Sequence, residues 1–192
     1  MKWCKNAVEL SHYFAEKLVL TGGVAVDATA GNGHDTLFLA QCAGAQGKVF
    51  AFDVDPVAIA NTEHLLMKHG GECQVRLILD SHENAVNYIA DSVDYVIFNL
   101  GYRPGADHQH TTMPESTIKA VKGLFERVRP GGAIGICTYW GTQKCRQEAL
   151  QLEEHLKSWD QNVADVLVFD FINQKNQPPK FFLIYKKKRE KE

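Results

Sequence analysis

No run in the 192-residue sequence approaches the ~18 consecutive apolar residues of a membrane span, which excludes a helical membrane protein. A strong charge of either sign is also missing: 21 Lys and Arg stand against 23 Asp and Glu, a formal net charge of −2. Bulk charge therefore gives no drive toward nucleic acid, although a local basic patch stays open. The five cysteines are odd in number and form no C-x-x-C pair, so neither a disulfide framework nor a zinc ribbon is indicated. The first residues, with Lys2, Lys5, Glu9 and His12, lack the apolar core of a signal peptide, and a cytoplasmic protein is expected. Internal repeats, linkers and low-complexity segments are absent apart from the charged tail 186–192. The expectation is one domain over 1–192, with a lead-in helix within 1–22.

The organising stretch is Val24-Ala25-Val26-Asp27-Ala28-Thr29-Ala30-Gly31-Asn32-Gly33-His34-Asp35-Thr36. It reads as an apolar strand ending in an acid, a tight glycine turn, and the first turn of a helix. Such a junction presents free backbone N–H groups at the carboxyl end of a strand, where open α/β sheets hold ligands. Further strands are expected over 48–52 ending at Asp53, then over 74–79, 93–98 and 133–139, with helices over 6–20, from Pro56 to His69, from Pro114 to Val128 and over 142–159. Arg129-Pro130-Gly131-Gly132 reads as a turn. Two final apolar runs, 163–172 and 180–185, have no helix between them and must pair antiparallel if they pair. The sum is an α/β fold: a seven-stranded, mostly parallel sheet with helices on both faces and a C-terminal antiparallel hairpin.

A glycine turn after the first strand serves both dinucleotide enzymes and S-adenosylmethionine enzymes. The third glycine of the dinucleotide fingerprint would fall at Thr36 and is missing. Carboxylates at Asp27 and Asp35 would repel a pyrophosphate and attract a sulfonium and an α-amino group. Asp53, twenty positions after Gly33, can accept both ribose hydroxyls, and Asp80-Ser81-His82 follows the third strand, placed for an adenine edge. Structural alternatives stand beside these readings: Asp27 orienting the loop, Asp35 as a first-turn helix acid, Asp55 as an N-cap before Pro56.

The stretch Val26 to Thr36, together with Phe98-Asn99-Leu100-Gly101-Tyr102-Arg103-Pro104-Gly105, resembles a family long labelled rRNA methylase and now assigned as tRNA 5-aminomethyl-2-thiouridine methyltransferases of the MnmM type. The resemblance spans nearly the whole chain, including Asn173-Gln174 and Pro178-Pro179. It implies a class I S-adenosylmethionine-dependent (Rossmann-like) fold and methylation of the exocyclic amine of the tRNA wobble uridine, with the anticodon region as partner. Carried over by position, cofactor contacts fall on Asn32, Asp35, Asp53, Asp55, Ser81 and His82. The sequence departs from the family at Ala30 and in Tyr139-Trp140-Gly141-Thr142.

Asn99-Leu100-Gly101-Tyr102 stands where amino-methyltransferases with an N-P-P-Y stretch hold their target nitrogen. The Asn99 amide oxygen can accept from the amine, and Tyr102 can stack on the base. Asp107, His108 and His110 are candidate proton acceptors; His108-x-His110 lacks further metal ligands of suitable spacing, so no metal is expected. Arg103, His108, His110 and Asn173 are the expected RNA contacts, with Lys119, Lys122, Gln174 and Lys175 extending that surface. A nicotinamide oxidoreductase, a methyltransferase on rRNA or a small amine, and an idle RNA-binding module are the rival readings. The oligomeric state is open, with a homodimer among the options.

Overall fold

A computed structural model describes residues 4–70, 74–101 and 113–188. The elements run α1 (Ala7–Leu18), β1 (Val24–Asp27), α2 (His34–Ala43), β2 (Lys48–Asp53), α3 (Pro56–His69), β3 (Val75–Leu79), a 3₁₀ helix (His82–Asn87), β4 (Val93–Asn99), α4 (Pro114–Arg127), β5 (Val128–Thr138), α5 (Gln143–Lys157), β6 (Ala164–Phe169) and β7 (Lys180–Lys186). They build one seven-stranded sheet in the order β3-β2-β1-β4-β5-β7-β6. The pairs β3-β2, β2-β1, β1-β4 and β4-β5 are parallel, while β7 pairs antiparallel with both β5 and β6. The chain reverses direction of winding between β1 and β4, so the crevice beyond their carboxyl ends is the topological switch point.

Each face of the sheet carries its own core. On one side Phe52, Phe98, Ile134 and Ile136 pack with Leu124 of α4, Leu152 of α5 and Ala85 of the 3₁₀ helix. On the other, Tyr95, Ile97 and Phe181 pack with Ala15 of α1 and Leu39 of α2. α1 turns Ala7, Ser11 and Ala15 inward at i, i+4 and i+8 spacing, and all three are buried. These small side chains let the helix sit close to the sheet, where the Ser11 hydroxyl bonds the Tyr95 hydroxyl at 3.2 Å and Phe14 stacks on Phe181.

Sequence and structure part at three places. Arg129 to Gly132 are not a turn before β5 but lie inside it: the ladder jumps from Val93↔Val128 to Tyr95↔Ala133, so the Pro-Gly-Gly segment forms a bulge. Gly131 takes φ +84 there, and the Arg129 guanidinium turns back to pair with Asp94 and to donate to the Leu18 carbonyl at 2.8 Å. The expected strand over 163–172 is shorter, because pairing stops at Phe169↔Phe181 and an Asp170–Lys180 ion pair at 3.0 Å closes the hairpin. The 3₁₀ helix was not expected; Ser81 caps it, its hydroxyl accepting from the Glu83 N–H at 3.4 Å.

Candidate active site

At the switch point, β1 delivers Asp27 to a turn tied down from three sides. The Asp27 carboxylate is fully buried; it accepts from the Thr29 N–H at 3.0 Å and from the Thr36 hydroxyl at 2.5 Å. Both oxygens thus orient the turn, and the side chain reaches no surface. From β2, Asp53 accepts from the Gly31 N–H and from the Asp55 N–H, each at 2.9 Å. Gly33 adopts φ +83, and a Cβ there would lie 2.8 Å from the Thr62 Cα, so the turn can press against α3 only with glycine at this position.

The turn gathers negative charge. Burial, and next the neighbouring Asp35 carboxylate, push the Asp27 carboxyl up to about 7. Asp35 itself is the second residue of α2 and nearly buried, with Oδ1 2.6 Å from His12 Nε2 of α1 and Oδ2 accepting from Asn99 Nδ2 at 3.1 Å. Asn99, at the end of β4, is fixed at three atoms: its N–H donates to the Thr29 hydroxyl at 2.8 Å, its Nδ2 to Asp35, and its Oδ1 accepts from the Tyr139 hydroxyl at 2.9 Å. Burial pushes the Tyr139 phenol up to about 12, so it remains a hydroxyl at ordinary pH. The His12 ring lies flat on Phe38, with centroids 3.8 Å apart and planes 8° from parallel.

His82 lies under the same turn. Its Nδ1 is 3.2 Å from the Ala28 carbonyl oxygen, which only accepts, so Nδ1 carries the proton. Burial holds its pKa below the usual imidazole range. The neutral ring then offers a lone pair at Nε2, and that atom is buried without a hydrogen-bond partner.

Other expected residues fall nearby with different local ties. Asn32 is exposed and accepts from Asn61 Nδ2 at 3.1 Å, and Asp55 caps α3 through the Val57 N–H at 2.8 Å. Ser81 caps the 3₁₀ helix, and beside it Asp80 accepts from Ser81, Asn84 and Tyr88, bonds that hold its carboxyl below the usual range, that to Asn84 foremost. Asn173 is exposed in the β6–β7 connection. Since Thr138 pairs with Lys180, that connection stands at the carboxyl end of β5, on the same edge as Asn99. Gln177 of this loop accepts from Arg146 at 2.7 Å, and Lys180 stands 4.7 Å over the Trp140 ring. Tyr102, Arg103, His108 and His110, with Asp107, lie outside the described residues. Lys119 pairs with Glu83 at 3.4 Å.

His12, Thr29, Thr36 and Tyr139 complete the cluster and were not expected there. Thr29 and Thr36 belong to the glycine turn itself and bond Asp27 locally, whereas His12 and Tyr139 reach the site only through the packing of α1 and the place of β5. Among the described residues no group of three or more His, Cys, Asp or Glu side chains forms a metal site, and no helix is long and apolar enough to cross a membrane.

Solved and curated proteins resemble this chain over most of its length. A structure from Clostridium thermocellum, described as a "putative rRNA-methylase", is 42% identical, covers 96% of this chain and 100% of its own, and superposes with a TM-score of 0.94. A Streptococcus mutans protein described as "a putative methyltransferase" and solved in complex with SAH is 35% identical, with coverage of 96% and 99% and a TM-score of 0.87. The chloroplastic tRNA (mnm(5)s(2)U34)-methyltransferase of Arabidopsis thaliana is 34% identical over 155 residues, 75% of this chain. The match spans only 56% of that plant protein. The sheet order, the antiparallel β7 and these likenesses make the fold that of the class I S-adenosylmethionine-dependent methyltransferases. With the model of the family described as "Putative rRNA methylase" matching residues 49–185, the chain belongs to that family.

Proposed function

We propose that the protein is an S-adenosylmethionine-dependent N-methyltransferase. Its substrate is the exocyclic amine of 5-aminomethyl-(2-thio)uridine at the tRNA wobble position, and its product is the 5-methylaminomethyl nucleoside. The observation that carries the reading is the Asn99 amide: with Nδ2 held by Asp35 and one lone pair of Oδ1 taken by the Tyr139 hydroxyl, the oxygen keeps a second lone pair at the carboxyl edge of β4. An amide oxygen there accepts from an amine N–H and aims the nitrogen lone pair. The mnm(5)s(2)U34 specificity of the plant relative supports the choice of nucleoside.

The residues of the turn suit the cofactor. The unpaired Nε2 of His82 is an acceptor for the amino group of an adenine, and the Asp53 carboxylate, with lone pairs left beyond its two backbone N–H bonds, can accept from ribose hydroxyls. Asp35 supplies the negative field that favours a sulfonium and an α-amino group, while Asp27 behind it, its carboxyl pushed up to about 7, braces the turn. Asn32, Asp55 and Ser81 follow the carboxyl ends of β1, β2 and β3, the edge where such a cofactor would sit. When bound, the cofactor supplies an electrophilic methyl group on sulfur. Asn99 holds the deprotonated amine, Tyr102 stacks on the uracil, and Arg103, His108, His110 and Asn173 hold the anticodon loop.

Isothermal titration with S-adenosylmethionine, followed by nucleoside mass spectrometry of tRNA incubated with the protein, tests the reading. Micromolar binding and conversion of the 5-aminomethyl to the 5-methylaminomethyl nucleoside are expected. Absence of binding at millimolar cofactor would refute it. The family's rRNA description favours ribosomal RNA as the rival acceptor, and labelled methyl transfer into rRNA but not tRNA would select it.

A further inference from the structure

The lead-in helix contributes a side chain to this cluster that the reading above does not use. His12 Nε2 lies 2.6 Å from Asp35 Oδ1, with Phe38 stacked on the imidazole, Asn99 on the other carboxylate oxygen and the Asp27 carboxyl neighbouring Asp35. The ring has little freedom, because its neighbour Ser11 is buried against Tyr95 and Phe14 is stacked on Phe181. His12 is therefore a fixed donor aimed at one oxygen of a nearly buried carboxylate.

The consequence passes through Asp35 to Asn99. An amide can sit either way round, and the Tyr139 hydroxyl cannot choose for it, since a hydroxyl both donates and accepts. A carboxylate only accepts, so Asp35 admits the NH₂ end of Asn99 and excludes the oxygen. That choice holds only while Oδ2 of Asp35 points at Asn99, and a carboxylate is free to swing about its terminal torsion unless something holds it. The donor that holds Oδ1 is His12.

We infer that His12 is a positioning residue: through Asp35 it sets the Asn99 amide with the oxygen, not the NH₂, toward the acceptor substrate. The inference rests on the proposed reading in that the group facing Asn99 is an amine. An amide turned round would set N–H against N–H, and the site would favour an acceptor atom such as a carbonyl. His12 thus selects donor nitrogens as targets from α1, a helix that precedes the switch-point turn in the chain.

The test uses the intact protein and the variants His12→Ala and His12→Gln, the latter able to donate an amide N–H to the same oxygen. The first readout is the Asn99 side-chain NH₂ pair in a ¹⁵N–¹H correlation spectrum, assigned by its loss in Asn99→Ala. The wild type and His12→Gln should show one downfield, slowly exchanging proton, and His12→Ala a pair near the free-amide position. The second readout is kinetic: His12→Ala should lower kcat by about 10- to 100-fold, with KM for the cofactor within about twofold, and His12→Gln should recover to within about threefold of wild type. An Asn99 pair unchanged in His12→Ala overturns the inference, as does a variant that loses thermal stability but keeps kcat. A wild-type protein that methylates no tRNA overturns the proposed function instead, and the spectrum then decides alone whether His12 sets Asn99.

Discussion

Replacing Asp27 by asparagine should make the protein's stability respond less to rising pH. The side chain is wholly buried and keeps its proton in the folded state up to about pH 7, whereas an unfolded carboxyl loses it near its ordinary value of 3.8. Between those limits the folded state binds the extra proton, so stability falls as pH rises; the advantage is complete below about 3.8 and gone above about 7. At ~1.4 kcal/mol per pH unit within that window, the wild type should lose roughly 2–3 kcal/mol through this group between pH 5 and pH 8. The Asp27→Asn side chain would preserve both local bonds, its oxygen accepting from Thr29 and its NH₂ donating to Thr36, while carrying no charge to bury. Urea unfolding of both proteins at pH 5, 6, 7 and 8 measures the effect. His82, held neutral by burial, works in the opposite sense, losing stability as pH falls below its unfolded pKa of 6.5. It is present in both proteins and cancels in the difference. Parallel stability curves across the four pH values would refute the account of Asp27.

Asp53→Ala removes the acceptor for the Gly31 and Asp55 N–H groups, and should weaken cofactor binding at least tenfold while costing about 1–3 kcal/mol of stability; equal titration isotherms for wild type and variant would contradict it. His82→Phe keeps an aromatic ring against Phe98 but has no lone pair, so the cofactor Kd should rise about tenfold, read by calorimetry, with an adenine-free cofactor analogue affected far less. Gly33→Ala puts a Cβ into the Thr62 backbone at φ +83 and should lower stability by about 1–3 kcal/mol, measured as a shift in the urea midpoint.

Much of the fold can be read from local pattern. The alternation of apolar strands with amphipathic helices, and the lack of a helix between the last two runs, suffice for the parallel sheet and its antiparallel end. Pattern failed at Arg129 to Gly132, because a Pro-Gly-Gly segment looks the same whether it ends a strand or bulges within one; pairing with Val93 and Tyr95 decides, and that is a long-range fact. The glycine turn and its acids were visible because chain order sets them side by side. Invisible was the burial of Asp27, which makes it a brace for the turn, with both oxygens used by Thr29 and Thr36. His12 and Tyr139 were invisible for a different reason. They lie 23 and 104 positions from Asp35 in sequence, and only the docking of α1 and the place of β5 beside β4 bring them to Asn99.

The docking of α1 also bears on how members of the family can be told apart. The family match begins at residue 49, in β2, so His12, Asp27 and Asp35 all precede it. A gene fusion or start-site change that exchanged the leading helix would leave every matched position intact and remove the imidazole. On the inference that His12 sets Asn99, residue 12, with the small residues at 7, 11 and 15 that let the helix reach the sheet, is a position that a match over 49–185 does not read.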